Sequence, residues 1–241
     1  MLPSVCLLSY NRPNYLRDTV NSIHNNTRHS FEFIINDDGS TEYNGEEYQT
    51  IQEELNAYRT NMGATIILNP SGHNEGVGRS INKCFKIATG DILIKVDSDL
   101  NFAVNWLENV VALFEENPRL GLLGLCHYHH EPVDMANTVL NHYDDHTEHT
   151  HILGSAFAVR REVYEEFGIS SYSESFGEDW ELMKKIEASP VWYNGLPLQE
   201  LAENYGMGLG RSTVALDDGT GGVTTAKIHK RPYIVNGENN E

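Results

Sequence analysis

Three of the close acidic groups along the chain stand where chemistry could use them: Asp37-Asp38, Asp97-Ser98-Asp99 and Glu178-Asp179. In an extended segment residues i and i+2 point the same way, so Asp97 and Asp99 offer two hard oxygen ligands suited to Mg²⁺ or Mn²⁺. A cation there can bridge diphosphate oxygens and neutralise charge growing on a departing phosphate; the alternative use of the same residues is a solvated turn. Asp37 and Asp38 can accept from a ribose hydroxyl or a ring N–H, or build an Asx turn with Gly39 and Ser40, and one aspartate can do each. Glu178 and Asp179 open a helical stretch, where the macrodipole favours the ionised form that a general base requires. Helix capping is their plainer use.

Groups so far apart act together only if the fold gathers them. Val5 to Ser9 reads as a strand, Pro13 to Ile23 as a helix, Phe31 to Asn36 as a strand, and Tyr48, Ile51, Leu55 and Tyr58 recur at helical spacing before a strand at Ala64 to Leu68. Val77, Ile81, Cys84, Phe85 and Ala88 mark an amphipathic helix stopped by Gly90, and Ile92 to Val96 is an apolar strand. Repeated βα units demand right-handed crossovers and a mostly parallel sheet covered by helices. Ligands of such sheets sit beyond the carboxyl ends of the strands, where Ser9 to Pro13, Asn36 to Ser40 and Asp97 to Asp99 all fall. Further on, a helix around Trp106, Val110 and Leu113 precedes a strand at Leu120 to Cys126. A strand at Ile152 to Val159, a helix at Arg161 to Phe167 and a helix through Trp180, Leu182, Met183 and Ile186 complete the pattern.

Composition narrows the partners. With 17 Lys and Arg against 35 Asp and Glu in 241 residues, the net charge of −18 argues against non-specific nucleic-acid binding and against anionic membranes. Cys6, Cys84 and Cys126 are odd in number and set among apolar residues, which reads as buried reduced thiols and predicts a cytoplasmic location. No signal peptide is apparent, and no apolar run approaches the roughly 20 residues of a membrane span.

The succession Ser9-Tyr10-Asn11-Arg12, Asp37-Asp38-Gly39-Ser40, Asn74 to Asn82, Ala88-Thr89-Gly90-Asp91 leading to Asp97-Ser98-Asp99, then Gly177-Glu178-Asp179-Trp180 resembles the GT-A glycosyltransferases of the family-2 type. The match covers roughly residues 3 to 188. The resemblance implies an α/β, Rossmann-like GT-A domain over 1–241. In it, 1–100 forms a nucleotide-sugar-binding half, 101–216 an acceptor-side half, and 217–241 a flexible tail or lid. It implies transfer of a sugar from a nucleotide diphosphate sugar, UDP-sugars favoured, to a hydroxyl acceptor with inversion. Ser9, Tyr10, Asn11, Arg12 and Asp38 would then hold the nucleoside, with Asp37 supporting their loop and Arg79 near the diphosphate. Asp97 and Ser98 would meet the ribose and donor sugar. Asp99 would be the principal ligand of Mn²⁺ or Mg²⁺, with Asp97 and His229 as further ligands, Asp179 the catalytic base and Glu178 its neighbour on the acceptor.

Three further readings complete the set. Seven of the 11 histidines lie between His127 and His151, and His142, His146 and His149 would suit zinc if helical, but the polar surroundings favour a solvated loop. Trp180, Trp192 and Tyr193 are stacking candidates for a sugar, with core packing as the plainer role. The rivals to a sugar transferase are a nucleotidyltransferase, whose glycine-rich phosphate loop Ser9 to Pro13 lacks, and a non-catalytic nucleotide- or glycan-binding protein.

Overall fold

The computed structural model describes residues 1–41, 46–69, 71–127, 139–150, 152, 154–169 and 178–204. The predicted βα alternation is present: β1 (Pro3–Ser9), α1 (Pro13–Asn25), β2 (Glu32–Asp37), α2 (Glu46–Met62), β3 (Thr65–Leu68), α3 (Val77–Ile87) and β4 (Ile92–Asp97). There follow β5 (Leu100–Phe102), α4 (Trp106–Glu116), β6 (Leu120–Gly124), β7 (Val139–His142), β8 (His146–His149), β9 (Ala156–Arg160), α5 (Arg161–Phe167), α6 (Glu178–Glu187), β10 (Tyr193–Pro197) and β11 (Ala202–Asn204).

Nine strands form one sheet in the order β3-β2-β1-β4-β9-β6-β10-β8-β7, while β5 and β11 pair separately. Only β9 and β8 run against the rest, so the sheet is mostly parallel in direction. Apolar residues of strands buried on both sides pack against helices on each face. One face carries Leu16, Val20, Ile51, Leu55, Trp106 and Val110 from α1, α2 and α4. The other carries Ile81, Phe85, Val163, Leu182, Met183 and Ile186 from α3, α5 and α6. All three cysteines are free and buried, and no helix among the described residues is long and apolar enough to cross a membrane.

Part of the histidine-rich stretch corrects the expected loop, while 128–138 and 151 lie outside the described residues. Residues 139–149 form the β7–β8 hairpin, which extends the sheet beyond β10, and neither helix nor solvated loop holds there. His146 is fully buried between Asp145 (Nδ1 to Oδ1, 2.6 Å) and the Tyr193 hydroxyl (Nε2 to Oη, 2.8 Å), with its ring stacked on Tyr143. His149 is buried with its Nε2 2.6 Å from the Thr147 hydroxyl. Polar side chains are satisfied inside the sheet here, so no apolar alternation marks the strands. The expected strand at Ile152 to Val159 begins only at Ala156, because Gly154 and Ser155 form a turn.

Candidate active site

Register explains why the acidic groups meet. Ser9 lies opposite Asp37 and Leu8 opposite Asp97 in parallel ladders, so the β1–α1, β2–α2 and β4–β5 connections leave the sheet at one edge. Asn11 and Arg12 both take positive φ, a sterically costly conformation for side-chain-bearing residues, and the loop is held by its neighbours. The Asn11 amide donates to Ser40 Oγ (2.8 Å), and Asn11 Oδ1 accepts from the Thr41 amide (3.3 Å).

Both aspartates of the second loop are buried and engaged. Asp37 accepts from the amide and hydroxyl of Ser40, the Asx turn; burial, opposed by those bonds and aided by the Asp38 charge, raises its pKa. Asp38 accepts from the Asn69 amide group (3.2 Å) and from the Glu75 and Gly76 amides (3.0 Å each), which fastens the entrance of α3. Arg79, on the first turn of that helix, is exposed beside Glu75, and Glu75 pairs with Lys83. Tyr10 is exposed; Ser9 and Ser98 are buried.

Each carboxylate of the Asp97-Ser98-Asp99 turn faces a cation of the chain. Asp99 meets Arg12 Nη1 at 3.4 Å, and Asp97 meets the buried Lys95 Nζ at 2.7 Å. The segment beyond is anchored to α1, where the Leu100 amide donates to Thr19 Oγ1 (3.0 Å) and the Phe102 amide to Ser22 Oγ (2.7 Å). Cys126 lies within the field of these groups: burial, then the charges of Glu200, Asp97 and Asp99 against Lys95, pushes its thiol up.

Asp179 stands in the first turn of α6, with Oδ1 accepting from the Trp180 amide (2.8 Å). Its carboxylate presses on Gly154, where a Cβ would overlap Oδ2 and come within 2.8 Å of Cγ. The Gly154 carbonyl in turn accepts from Lys95 Nζ at 2.6 Å. Lys95 and Gly154 thus join Asp97 to Asp179, a link that no motif announces. Glu178 precedes Asp179 at the start of α6. His229 and the tail of 217–241 lie outside the described residues.

Trp180 is exposed with Lys184 Nζ 4.8 Å from its ring centroid, whereas Trp192 packs on the second core face and Tyr193 is buried. Among the described residues no three His, Cys, Asp or Glu side chains gather as a metal cage. Two carboxylates at one strand end fit a hard cation that completes its shell with water and phosphate oxygens.

The family model described as glycosyl transferase family 2 matches residues 4–168. The chain belongs to this family. A glucosyl-dolichyl phosphate glucuronosyltransferase of Haloferax volcanii is 28% identical over 114 residues, covering 47% of this chain and 34% of that protein. An uncharacterized glycosyltransferase of Haemophilus influenzae is 25% identical over 199 residues, covering 78% of this chain and 62% of its own length. The chain therefore spans between about a third and three-fifths of these curated relatives. The solved structure of S. aureus TarS 1-349 with UDP-GlcNAc superposes with a TM-score of 0.64 at 18% identity, over 84% of this chain and 58% of that one. That likeness identifies the fold as GT-A.

Proposed function

We propose that this family-2 chain transfers a sugar from a nucleotide diphosphate sugar to a hydroxyl acceptor, with inversion and with Asp179 as the base. The observation that carries the reading is the link Asp97–Lys95–Gly154–Asp179, which ties the candidate donor carboxylate to the candidate base at one sheet edge. Family membership supports the reaction class, and the UDP-GlcNAc of the TarS structure supports a UDP-sugar.

In this reading 1–241 acts as one unit, with residues 1–100 on the donor and 101–216 on the acceptor. Ser9, Tyr10, Asn11, Arg12, Asp37, Asp38 and Ser98 line the nucleoside side, and Arg79 faces the diphosphate. Asp99, Asp97 and His229 would hold Mn²⁺ or Mg²⁺, which would supply Lewis-acid neutralisation of the leaving diphosphate. Asp179, in the first turn of α6, takes the proton of the acceptor hydroxyl as its oxygen attacks the anomeric carbon from the face opposite the diphosphate. Glu178 orients the acceptor. One base suffices for a single displacement, and alignment with electrostatics supplies most of the rate. The buried free thiols support a reducing, cytoplasmic setting.

The test is a thermal-shift panel of UDP-, GDP-, CDP- and dTDP-sugars with and without Mn²⁺, since a ligand that binds only the folded state raises the melting temperature. A UDP-sugar is expected to stabilise the chain only with Mn²⁺. No shift with any donor, or a shift indifferent to Mn²⁺, overturns the proposal.

A further inference from the structure

Lys95 is a lysine in the interior of a sheet. It lies in β4 between Ile94 and Val96, its side chain is 3% exposed, and its neighbours in the ladders are Cys6 and Phe157. An ammonium carries three donors and no acceptor, and taking it out of water is costly unless all are satisfied. Three acceptors surround Nζ: Asp97 Oδ1 at 2.7 Å, the Gly154 carbonyl at 2.6 Å and the Ser155 carbonyl at 3.4 Å. The charge is thus spent inside the protein, on a candidate donor carboxylate and on the turn that Asp179 presses against. The Asp97 amide also donates to the Ser155 carbonyl at 3.0 Å, so the same turn is tied to Asp97 twice.

We propose that Lys95 is a positioning residue that fixes the separation of Asp97 and Asp179. The ammonium neutralises Asp97 and holds its carboxylate in one orientation, and through the Gly154 carbonyl it holds the surface on which Asp179 rests. An apolar residue at 95, the type found at 92, 93, 94 and 96, would bury as well but would leave the Asp97 carboxylate without its cation and the turn held to Asp97 by the backbone bond to Ser155 alone. A buried ion pair is often no more stabilising than an apolar residue of the same size, so net stability does not account for a lysine here.

Hydrogen exchange on the full, unliganded chain tests the clamp. Lys95→Met keeps the length of the side chain and removes its charge. It is expected to speed exchange tenfold or more in residues 97–99 and 154–156, with β1 and β2 unchanged. Asp97→Asn, a second variant that leaves Lys95 in place, is expected to speed 97–99 while 154–156 stay protected. Unchanged exchange at 154–156 in Lys95→Met, or equal loosening of both segments in Asp97→Asn, overturns the proposal.

The kinetic arm rests on the transferase reading. With the nucleotide sugar that the wild type turns over, Lys95→Met is expected to lower kcat tenfold or more while the donor KM moves less than threefold. A purely structural role would instead lower only the amount of folded enzyme, and kcat per folded molecule unchanged overturns the proposal. A wild type that turns over no nucleotide sugar defeats the transferase reading alone, and the exchange comparison still decides the role of Lys95.

Discussion

The Asp179 carboxylate occupies the space that a Cβ on Gly154 would fill. Gly154→Ala is therefore expected to displace the carboxylate at modest cost to folding, about 1–3 kcal/mol for an overpacked methyl. Turnover should fall about 100-fold, the scale of a roughly 1 Å misplacement of a reacting group. Saturation kinetics beside a urea titration separates the two effects; a variant as active as the wild type would detach Asp179 from the chemistry.

Asp99 and Asp179 are assigned opposite duties, so their variants should fail differently. Asp99→Ala is expected to abolish the Mn²⁺-dependent part of UDP binding in calorimetry. Asp179→Asn should leave that binding within a few-fold and reduce transfer by about 10²–10⁴, the contribution of a positioned base. EDTA should silence the wild type, and Mn²⁺ should restore it.

His146 bridges Asp145 and Tyr193 inside the sheet. His146→Phe retains an aromatic ring but strands the buried Tyr193 hydroxyl, while the Asp145 carboxylate is exposed enough to turn to water. The expected loss is about 2–3 kcal/mol, since an unsatisfied buried group costs more than a made bond contributes. Tyr193→Phe, which leaves the fully buried His146 Nε2 without its partner, should cost about 1–3 kcal/mol for the same reason. Either variant as stable as the wild type in denaturant would deny that the bridge supports the sheet.

Glu108 accepts from the Arg28 and His29 amides (2.6 and 3.0 Å) and the Thr27 hydroxyl (2.8 Å), pinning the α1–β2 connection to α4. Burial alone would raise its pKa, but these bonds outweigh burial and hold it below the ordinary 4.5. The folded state then binds fewer protons than the unfolded chain, so the contribution is present above 4.5 and is lost as pH falls through the folded value. Urea midpoints of wild type and Glu108→Gln should differ at about pH 7 and converge towards about pH 3.

The donor-side half of the fold was legible because its strands are continuous apolar runs, and their polar exits announce the loops that gather at the edge. Periodicity failed where polar residues are satisfied internally. His146, Thr147 and His149 make a strand that reads as solvent-facing, and β5 and β11 are three-residue strands too short to show a period. In the site, residues that follow strands were readable one by one. Lys95 and Gly154 were not, because their roles depend on which distant segments touch, and a lysine within an apolar run carries no spacing signal. Glu200, whose charge reaches Cys126 and which accepts from the His127 amide at 2.9 Å, was missed for the same reason.

The antiparallel strand β9 lies between β4 and β6, although the chain makes β9 after both. On a ribosome residues 1–124 accordingly emerge as one group, β3-β2-β1-β4, with an open edge at β4 and a single strand β6, which residues 156–160 join to that group. Closure across so long a sequence separation is entropically slow, so the nascent chain holds the β4 edge unpaired until residues 156–160 have been made.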